Sequence, residues 1–237
     1  MSADTAPIRI FIGWDSREDI AFQVAKKSIL DNASVPVEVV PIKLHELVDQ
    51  GLYTREVDPL ASTEFTYSRF FVPHLAGYEG WALFVDCDFL FFGDVAKLRD
   101  HMNPEHAVVC AKHDYQPKAT TKMDGQVQTS YPRKNWSSFM LFNCAHPSTK
   151  QLTPEKVNAE TGAYLHRMQW AADEEIGEVP YSWNFLEGWY DKPETGLPNA
   201  VHYTNGGPWF KDWQNVDYAD EWRATARDLG WSVAEAV

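Results

Sequence analysis

Two acidic side chains interrupt the most apolar part of the sequence. Asp86 and Asp88 stand between the apolar runs WALFV (81–85) and FLFF (89–92), with Cys87 between them. In extended chain, residues two apart project to the same side, so both carboxylates are expected to face one way. Two such carboxylates repel one another unless a cation neutralises them, and hard divalent cations bind one or two carboxylates together with substrate phosphate oxygens. The spacing therefore predicts a divalent metal site that takes a phosphate-bearing ligand.

The alternative for this pair is an ordinary solvated strand end. An acidic chain of this length contains roughly one Asp-x-Asp by chance, so the spacing alone is a weak signal. Charged residues inserted between two long apolar runs cost burial free energy, however, and such an interruption usually has a function. The flanking runs therefore favour the metal site.

Two more side chains have chemistry that suits a metal or a phosphate. A single His is more often structural than a ligand, but His202 stands just before Gly206 and Gly207, whose backbone amides can approach a phosphate, and imidazole suits Mn²⁺-like metals. Arg69 precedes the WALFV run, and its guanidinium fork matches phosphate or sugar hydroxyls. An ion pair between Arg69 and Glu64 or another neighbour is an equally good interpretation.

The elements that must position these residues alternate between strand and helix. The pattern predicts strands at 8–13, 37–42, 81–85, 136–142 and 201–203, and helices at 17–32, 44–50 and 64–75. This order is typical of an α/β fold with a mostly parallel central sheet flanked by helices, in which ligands bind outside the carboxyl ends of the strands. A polar segment at 113–134 is predicted to be a long functional loop. No repeat or linker divides the chain, so residues 1–237 are predicted to form one domain.

Composition excludes several classes of protein. The formal charge of −13 without any basic run argues against nucleic-acid binding, and it means that an anionic ligand needs a local cation such as a metal. The three cysteines, Cys87, Cys110 and Cys144, are predicted to be buried reduced thiols, which favours a reducing compartment. There is no secretion signal and no apolar stretch of roughly 18 residues, so a cytoplasmic protein without a transmembrane segment is expected.

Several ordered segments resemble family eight of the retaining glycosyltransferases, the family of glycogenin and the lipopolysaccharide galactosyltransferases. The match covers most of residues 8–210 and looks closest to a small bacterial branch. IFIGWDSRED resembles the family's first strand and uracil-binding loop, which implies that Trp14 and Asp15 contact the base or ribose. FTYSRFFVPHL resembles its Tyr-x-Arg helix, which implies that Arg69 reaches the donor. The resemblance implies the GT-A fold.

The metal-binding segments of the family also have counterparts. LFVDCDFLFFGDV resembles the segment that binds the metal, so Asp86 and Asp88 correspond to metal ligands, and HYTNGGPWF resembles the closing motif, so His202 corresponds to the third. Gly206 and Gly207 would face the donor phosphates. This last segment is one residue shorter than the family's, and Gly207 stands where the family has a phosphate-binding lysine.

Two segments correspond to the family's sugar site. NWSSFMLFN resembles a strand that usually begins Asn-Ala-Gly, so Ser137 and Ser138 would replace small residues that contact the donor sugar. ADEEIGEVPYSWNF resembles the segment that places an acidic residue and an amide beneath the sugar. Asp173 matches the acid and would orient hydroxyls, and Glu174 falls where other members often have Gln. Glu174 would then stabilise or attack the anomeric centre.

The resemblance implies a metal-dependent hexosyltransferase. Its donor would be a nucleoside-diphosphate sugar, with UDP expected, its acceptor a carbohydrate or another hydroxyl compound, and its metal Mn²⁺, with Mg²⁺ as the alternative. Transfer would retain the anomeric configuration. Two other functions stay open: a nucleotide-sugar-binding pseudoenzyme, suggested by the absent lysine, and a sugar nucleotidyltransferase, which would usually have a glycine-rich basic loop in place of GWDSRED. A glycoside hydrolase would leave the Asp-Cys-Asp segment unexplained.

Overall fold

A six-stranded sheet forms the centre of the molecule. The computed structural model describes residues 7–56, 58, 61–114 and 132–236. Within them the strand order is β2-β1-β3-β6-β5-β7, and five strands run in one direction while β6 runs against them. The predicted α/β architecture with a mostly parallel sheet is confirmed. The strands are β1 (Ile8–Gly13), β2 (Val37–Ile42), β3 (Trp81–Val85), β5 (Val108–Cys110), β6 (Phe139–Asn143) and β7 (Ile176–Glu178).

A second, three-stranded sheet stands beside the first, in the order β4-β9-β8. β4 and β9 are antiparallel, and β8 is parallel to β9. The pairing of Phe89 with His202 brings the end of β9 to the segment that follows β3. These strands are β4 (Phe89–Phe91), β8 (Phe185–Leu186) and β9 (Ala200–His202).

Helices flank the sheets. The longest is α1, which follows β1 and packs against β4 and against α7, near the end of the chain. The helices are α1 (Asp19–Asn32), α2 (Leu44–Asp49), α3 (Val72–Leu75), α4 (Pro147–Lys150), α5 (Pro154–Ala159), α6 (Gly162–His166) and α7 (Ala219–Asp228). No helix among the described residues is long and apolar enough to cross a membrane.

The central strands of the six-stranded sheet are buried. All five residues of β6 and the last four of β3 are buried, as the continuous apolar sequence of a covered strand requires. The three cysteines are free and buried, as predicted.

Two predicted elements differ from the structure. The helix expected at 64–75 is a 3₁₀ turn, Ser68–Phe71, followed by the four-residue α3, where Pro73 without an N–H fits the first helical turn. The strand expected from 136 begins at Phe139, because Trp136–Ser138 forms a 3₁₀ turn. Most of the predicted functional loop, 115–131, lies outside the described residues.

Candidate functional site

Three side chains of types that can bind a metal, Asp86, Asp88 and His202, meet at the carboxyl end of β3 and form what we call the metal-ligating cluster. Asp86 and Asp88 follow that strand, and the pairing of β4 with β9 brings His202 beside them. One ligand atom from each residue lies within 4.8 Å of the other two. The Nε2 atom of His202 is 3.3 Å from Oδ1 of Asp88. The structure thus brings together the three residues that were predicted as metal ligands, at the sheet edge where α/β proteins bind their ligands.

The environment of this cluster is enclosed but accessible. The His202 side chain is 2% exposed, and those of Asp86 and Asp88 are 14% and 16% exposed. The imidazole stacks on the ring of Phe89, with 4.5 Å between ring centroids. On its other side, His202 Nδ1 lies 2.9 Å from Oδ1 of Asn184. Packing and a hydrogen bond therefore hold the imidazole in one orientation with Nε2 toward the carboxylates.

Arg69 is a cation in direct contact with this cluster. Its Nη1 donates to Asp86 Oδ1 at 2.7 Å and to the carbonyl oxygen of Ser137 at 2.8 Å, and its Nε donates to that of Phe65 at 3.2 Å. The side chain is only 7% exposed. Burial, together with the charge of Arg69, lowers the pKa of His166 to about 3. Arg69 thus forms the ion pair that the sequence left open, but with Asp86 instead of Glu64.

Of the two residues predicted to contact the base, Asp15 is buried and Trp14 is partly exposed. Burial alone would raise the pKa of Asp15, but hydrogen bonds from Arg17 and from the Glu64 amide outweigh it and hold that pKa below its ordinary value. Asp15 therefore organises the loop after β1. Trp14 is half-buried, donates its indole N–H to Asp19 Oδ1 at 2.7 Å, and has the Lys43 ammonium 5.2 Å from its ring. Its partly exposed ring can stack on a planar ligand.

The serine hydroxyls predicted to contact the sugar are used inside the protein. Ser137 Oγ lies 2.8 Å from His166 Nδ1. Ser138 Oγ donates to the carbonyl of Asn135 at 2.7 Å and lies 3.0 Å from the Asn184 side-chain nitrogen. Both side chains are buried. Their hydroxyls therefore bind protein groups next to the site.

The two glycines after β9 allow close packing of tryptophans. Gly206 has a φ of 138°, and a Cβ there would lie 2.9 Å from the Trp213 ring. A Cβ on Gly207 would lie 2.0 Å from the Trp209 ring, so no larger residue fits without moving that indole. A lysine, which family eight has at this place, would therefore require the Trp209 ring to move.

Asp173 and Glu174 are not brought to the metal-ligating cluster. Strand β7 begins at Ile176, which the strand pairings place level with Ala82 of β3. The two acids precede that level, whereas Asp86 follows the carboxyl end of the parallel strand β3. Both are exposed and lie in a short 3₁₀ turn that leads directly into β7. Asp173 nevertheless accepts a hydrogen bond from Arg133, which lies two residues before Asn135, so the turn is connected to the segment that enters β6 at the site edge.

Sequence reasoning missed a buried carboxyl group next to the site. Glu18, just before α1, is 2% exposed, and its Oε2 atom has no hydrogen-bond partner among the described residues. Burial and the charges of Asp88 and Asp15 raise the pKa of Glu18 to about 8, with Arg17 and the Trp209 indole opposing the rise. Its position beside Arg17 in the sequence is typical of an exposed helix start, so no local signal identified it.

Replacing Glu18 with Gln should flatten the pH dependence of stability. The folded-state pKa of about 8 lies above the ordinary value of 4.5, so the native state holds the proton more tightly between these pH values. The stabilisation from the protonated carboxyl is complete below pH 4.5 and is lost as pH rises through 8, with a slope of up to about 1.4 kcal/mol per pH unit. Urea unfolding of both proteins in EDTA from pH 5 to 8.5 measures this. Parallel curves would contradict the burial of a protonated Glu18.

A second missed residue is His113, which follows β5. Its Nδ1 lies 2.7 Å from the hydroxyl of Tyr190, and its Nε2 is buried without a hydrogen-bond partner among the described residues. Burial and the nearby His202 lower the pKa of His113 to about 3, so the ring is neutral near pH 7. His113 is therefore a neutral, polar ring whose protonation is disfavoured by burial and by His202.

Comparison with known proteins identifies a plant relative. The chain is 55% identical to Protein CDI of Arabidopsis thaliana over 224 residues, which cover 93% of this chain and 86% of the relative. No protein-family model matches the chain. The expected placement in a small bacterial branch is therefore wrong, because the relative that matches is a plant protein.

Several solved structures with a similar fold are glycosyltransferases. The bifunctional glycosyltransferase WbbM superposes with a TM-score of 0.66 at 16% identity over 93% of this chain, which spans only 50% of the WbbM chain. The galactosyltransferase LgtC, solved with donor and acceptor sugar analogues, gives 0.57 at 12% identity over 95% of this chain and 97% of its own. GlyE of Streptococcus pneumoniae gives 0.62 at 14% identity, over 97% of this chain and 61% of GlyE. The predicted GT-A-type fold is thereby confirmed.

Proposed function

This chain belongs to the family of the Arabidopsis Protein CDI, and from its fold and its acidic cluster we propose that it is a metal-dependent glycosyltransferase. It transfers a sugar from a nucleoside-diphosphate donor to a hydroxyl acceptor, as one domain over residues 1–237. The observation that carries the proposal is the convergence of Asp86, Asp88 and His202, within 4.8 Å, at the ligand-binding edge of a fold shared with glycosyltransferases.

The three side chains suit a divalent cation. Two carboxylates and an imidazole face one another, and such a mixed oxygen and nitrogen set favours Mn²⁺ or a similar metal over Mg²⁺. When bound, the cation would act as a Lewis acid toward the donor diphosphate. In the sequence, Gly207 stands where family eight has a phosphate-binding lysine. The metal and the chain's other cations must therefore supply the positive charge that the diphosphate needs.

The remaining residues of the edge suit recognition of the donor. The half-buried Trp14 ring offers a stacking surface for a base, which supports the proposal of a uridine donor. The side-chain nitrogen of Asn135 is buried and has no acceptor among the described residues, so it can donate to a sugar hydroxyl. An unmatched buried donor of this kind costs about 1–3 kcal/mol, which a bound hydroxyl would recover. Asn135 is thus a better candidate for a sugar contact than Ser137 or Ser138.

We propose that transfer retains the anomeric configuration, as the resemblance to family eight implies. The roles predicted for Asp173 and Glu174 can be tested by substitution. Glu174 is exposed and Asp173 accepts a hydrogen bond from Arg133. Because neither lies with the metal-ligating cluster, we expect Glu174→Gln to keep transfer within about twofold of the parent, against the 10²–10⁴-fold typical of a group engaged in proton transfer. Initial rates of sugar release from UDP-sugars measure this. A loss of a hundredfold or more would show that Glu174 acts at the reacting centre.

The first experiment is calorimetric titration of UDP into the protein, with Mn²⁺ and then with EDTA. Binding that requires the metal supports the proposed donor site, and a screen of UDP-sugars for hydrolysis and transfer then separates an enzyme from a pseudoenzyme that only binds the donor. If UDP binds neither with Mn²⁺ nor with EDTA, we expect the donor to contain another nucleotide. Failure of every nucleoside diphosphate would overturn it.

A further inference from the structure

Asn184 connects the metal-ligating imidazole to the rigid sheet edge. It ends the 3₁₀ turn Tyr181–Asn184, directly before β8, and its side chain is fully buried. Its amide has three neighbours within hydrogen-bond distance: His202 Nδ1 at 2.9 Å, Ser138 Oγ at 3.0 Å and the carbonyl oxygen of Asn135 at 3.2 Å. A buried amide with every partner matched restricts the side chain to one orientation.

The neighbours decide which end of the amide faces His202. The carbonyl oxygen of Asn135 can only accept, so the amide nitrogen of Asn184 must point to it. Ser138 Oγ already donates its proton to that same carbonyl at 2.7 Å, so toward Asn184 it accepts. Both protons of the amide nitrogen are then used, and Oδ1 is the atom left for His202 Nδ1.

This orientation determines where His202 has its proton. Because Oδ1 of Asn184 is an acceptor only, Nδ1 of His202 must donate, and the neutral ring then has its lone pair on Nε2. That lone pair faces Asp88 Oδ1 at 3.3 Å, with one oxygen of Asp86 in the same group. Electron pairs converging at this spacing suit a cation between them.

We propose that Asn184 is a positioning residue that fixes the Nδ1-protonated tautomer of His202, so that Nε2 is directed at the cation site as a ready ligand. The inference rests on the proposed function for the purpose of the cation site, but the tautomer is a property of the metal-free protein. Ser138 and the backbone of Asn135 act through Asn184, which gives Ser138 a supporting role in place of the sugar contact expected from the sequence.

The test uses the full chain without metal, labelled with ¹⁵N-histidine, at pH 8. Two-bond ¹⁵N–¹H spectra report which ring nitrogen of His202 is protonated. We expect a proton on Nδ1 and a bare Nε2 in the parent protein, and a mixture of tautomers in Asn184→Leu. We expect the parent pattern in Asn184→Asp, because a carboxylate there accepts from Nδ1, as carboxylates that hydrogen-bond to metal-bound histidines do. A parent protein with its ring proton on Nε2 and a bare Nδ1 would overturn the proposal.

Metal affinity is the second readout. We expect Asn184→Leu to bind Mn²⁺, without nucleotide, roughly 10- to 100-fold more weakly by electron paramagnetic resonance, and Asn184→Asp to stay within about threefold of the parent. Asn199→Ala is the matched control, since the Asn199 amide bonds to Ser182 of the same turn and not to His202. Parent-like tautomer and affinity in Asn184→Leu would also overturn the proposal.

These outcomes are separable from failure of the proposed function. If Asn184→Leu does not fold, the tautomer of the parent protein and the behaviour of Asn184→Asp still decide. A parent protein that has the expected His202 tautomer but binds no nucleoside diphosphate would overturn only the proposed glycosyltransferase function. A parent protein that binds UDP with Mn²⁺ but has the ring proton of His202 on Nε2 before metal is added would overturn only the role of Asn184.

Discussion

Asp88→Asn should abolish metal-dependent binding of the donor and lower sugar transfer on the order of 10³-fold, since Lewis-acid stabilisation contributes several kcal/mol and each 1.36 kcal/mol is a factor of ten. The substitution nearly preserves volume but removes one of the two negative charges at the cation site. It also brings an amide to the position 3.3 Å from His202 Nε2. An N–H there can donate to the imidazole lone pair and occupy it, so the variant loses charge and a second ligand together.

Calorimetric titration with UDP and Mn²⁺ and the rate of transfer from a UDP-sugar measure this prediction. Asp228→Asn is the control, because it removes an equal charge from an exposed side chain on α7. Circular dichroism of both variants checks that the fold is retained. Parent-like binding of UDP with Mn²⁺ by Asp88→Asn would show that the metal does not use this carboxylate.

The core of the site could be predicted because its signal is local in sequence. The apolar run of β3 predicted a buried central strand with the observed bounds, Trp81–Val85. Alternation along extended chain predicted that Asp86 and Asp88 face the same way, and polar residues at strand ends predicted the edge of the sheet where they meet His202. Each step uses periodicity or position within one segment.

The supporting residues could not be predicted because their roles arise from tertiary contacts. Asn184 is 18 residues from His202 and Glu18 is far from Asp88 in sequence, so no spacing connects them. The small sheet was also only partly anticipated, because β8 has two residues and β9 three, too few for a period-two pattern. For Asp173 and Glu174, similarity to a motif suggested a position beneath the sugar, and that position stays a prediction.

The second large effect is expected at Arg69, in stability. Arg69→Met keeps much of the apolar packing between Phe65 and Phe84 but removes the partner of Asp86 and the donor to the Ser137 carbonyl. Breaking a buried ion pair from one side costs about 3–5 kcal/mol, because the remaining charge is left in a poorly solvated place. Urea unfolding in EDTA should show a loss of this size. Arg69→Lys should recover only part of it, since an ammonium lacks the fork that reaches two acceptors at once.

A double-mutant cycle separates the ion pair from the loss of packing. In Arg69→Met combined with Asp86→Asn, the buried charge is gone from both sides, so the double variant should be more stable than the sum of the single losses predicts, by about 1–3 kcal/mol. Mn²⁺ should also stabilise Arg69→Met more than the parent protein, because a bound cation then supplies the counter-charge to Asp86. Strict additivity, or equal stabilisation by Mn²⁺, would mean that Arg69 supports the sheet edge through its carbonyl contacts and that its charge contributes nothing to the site.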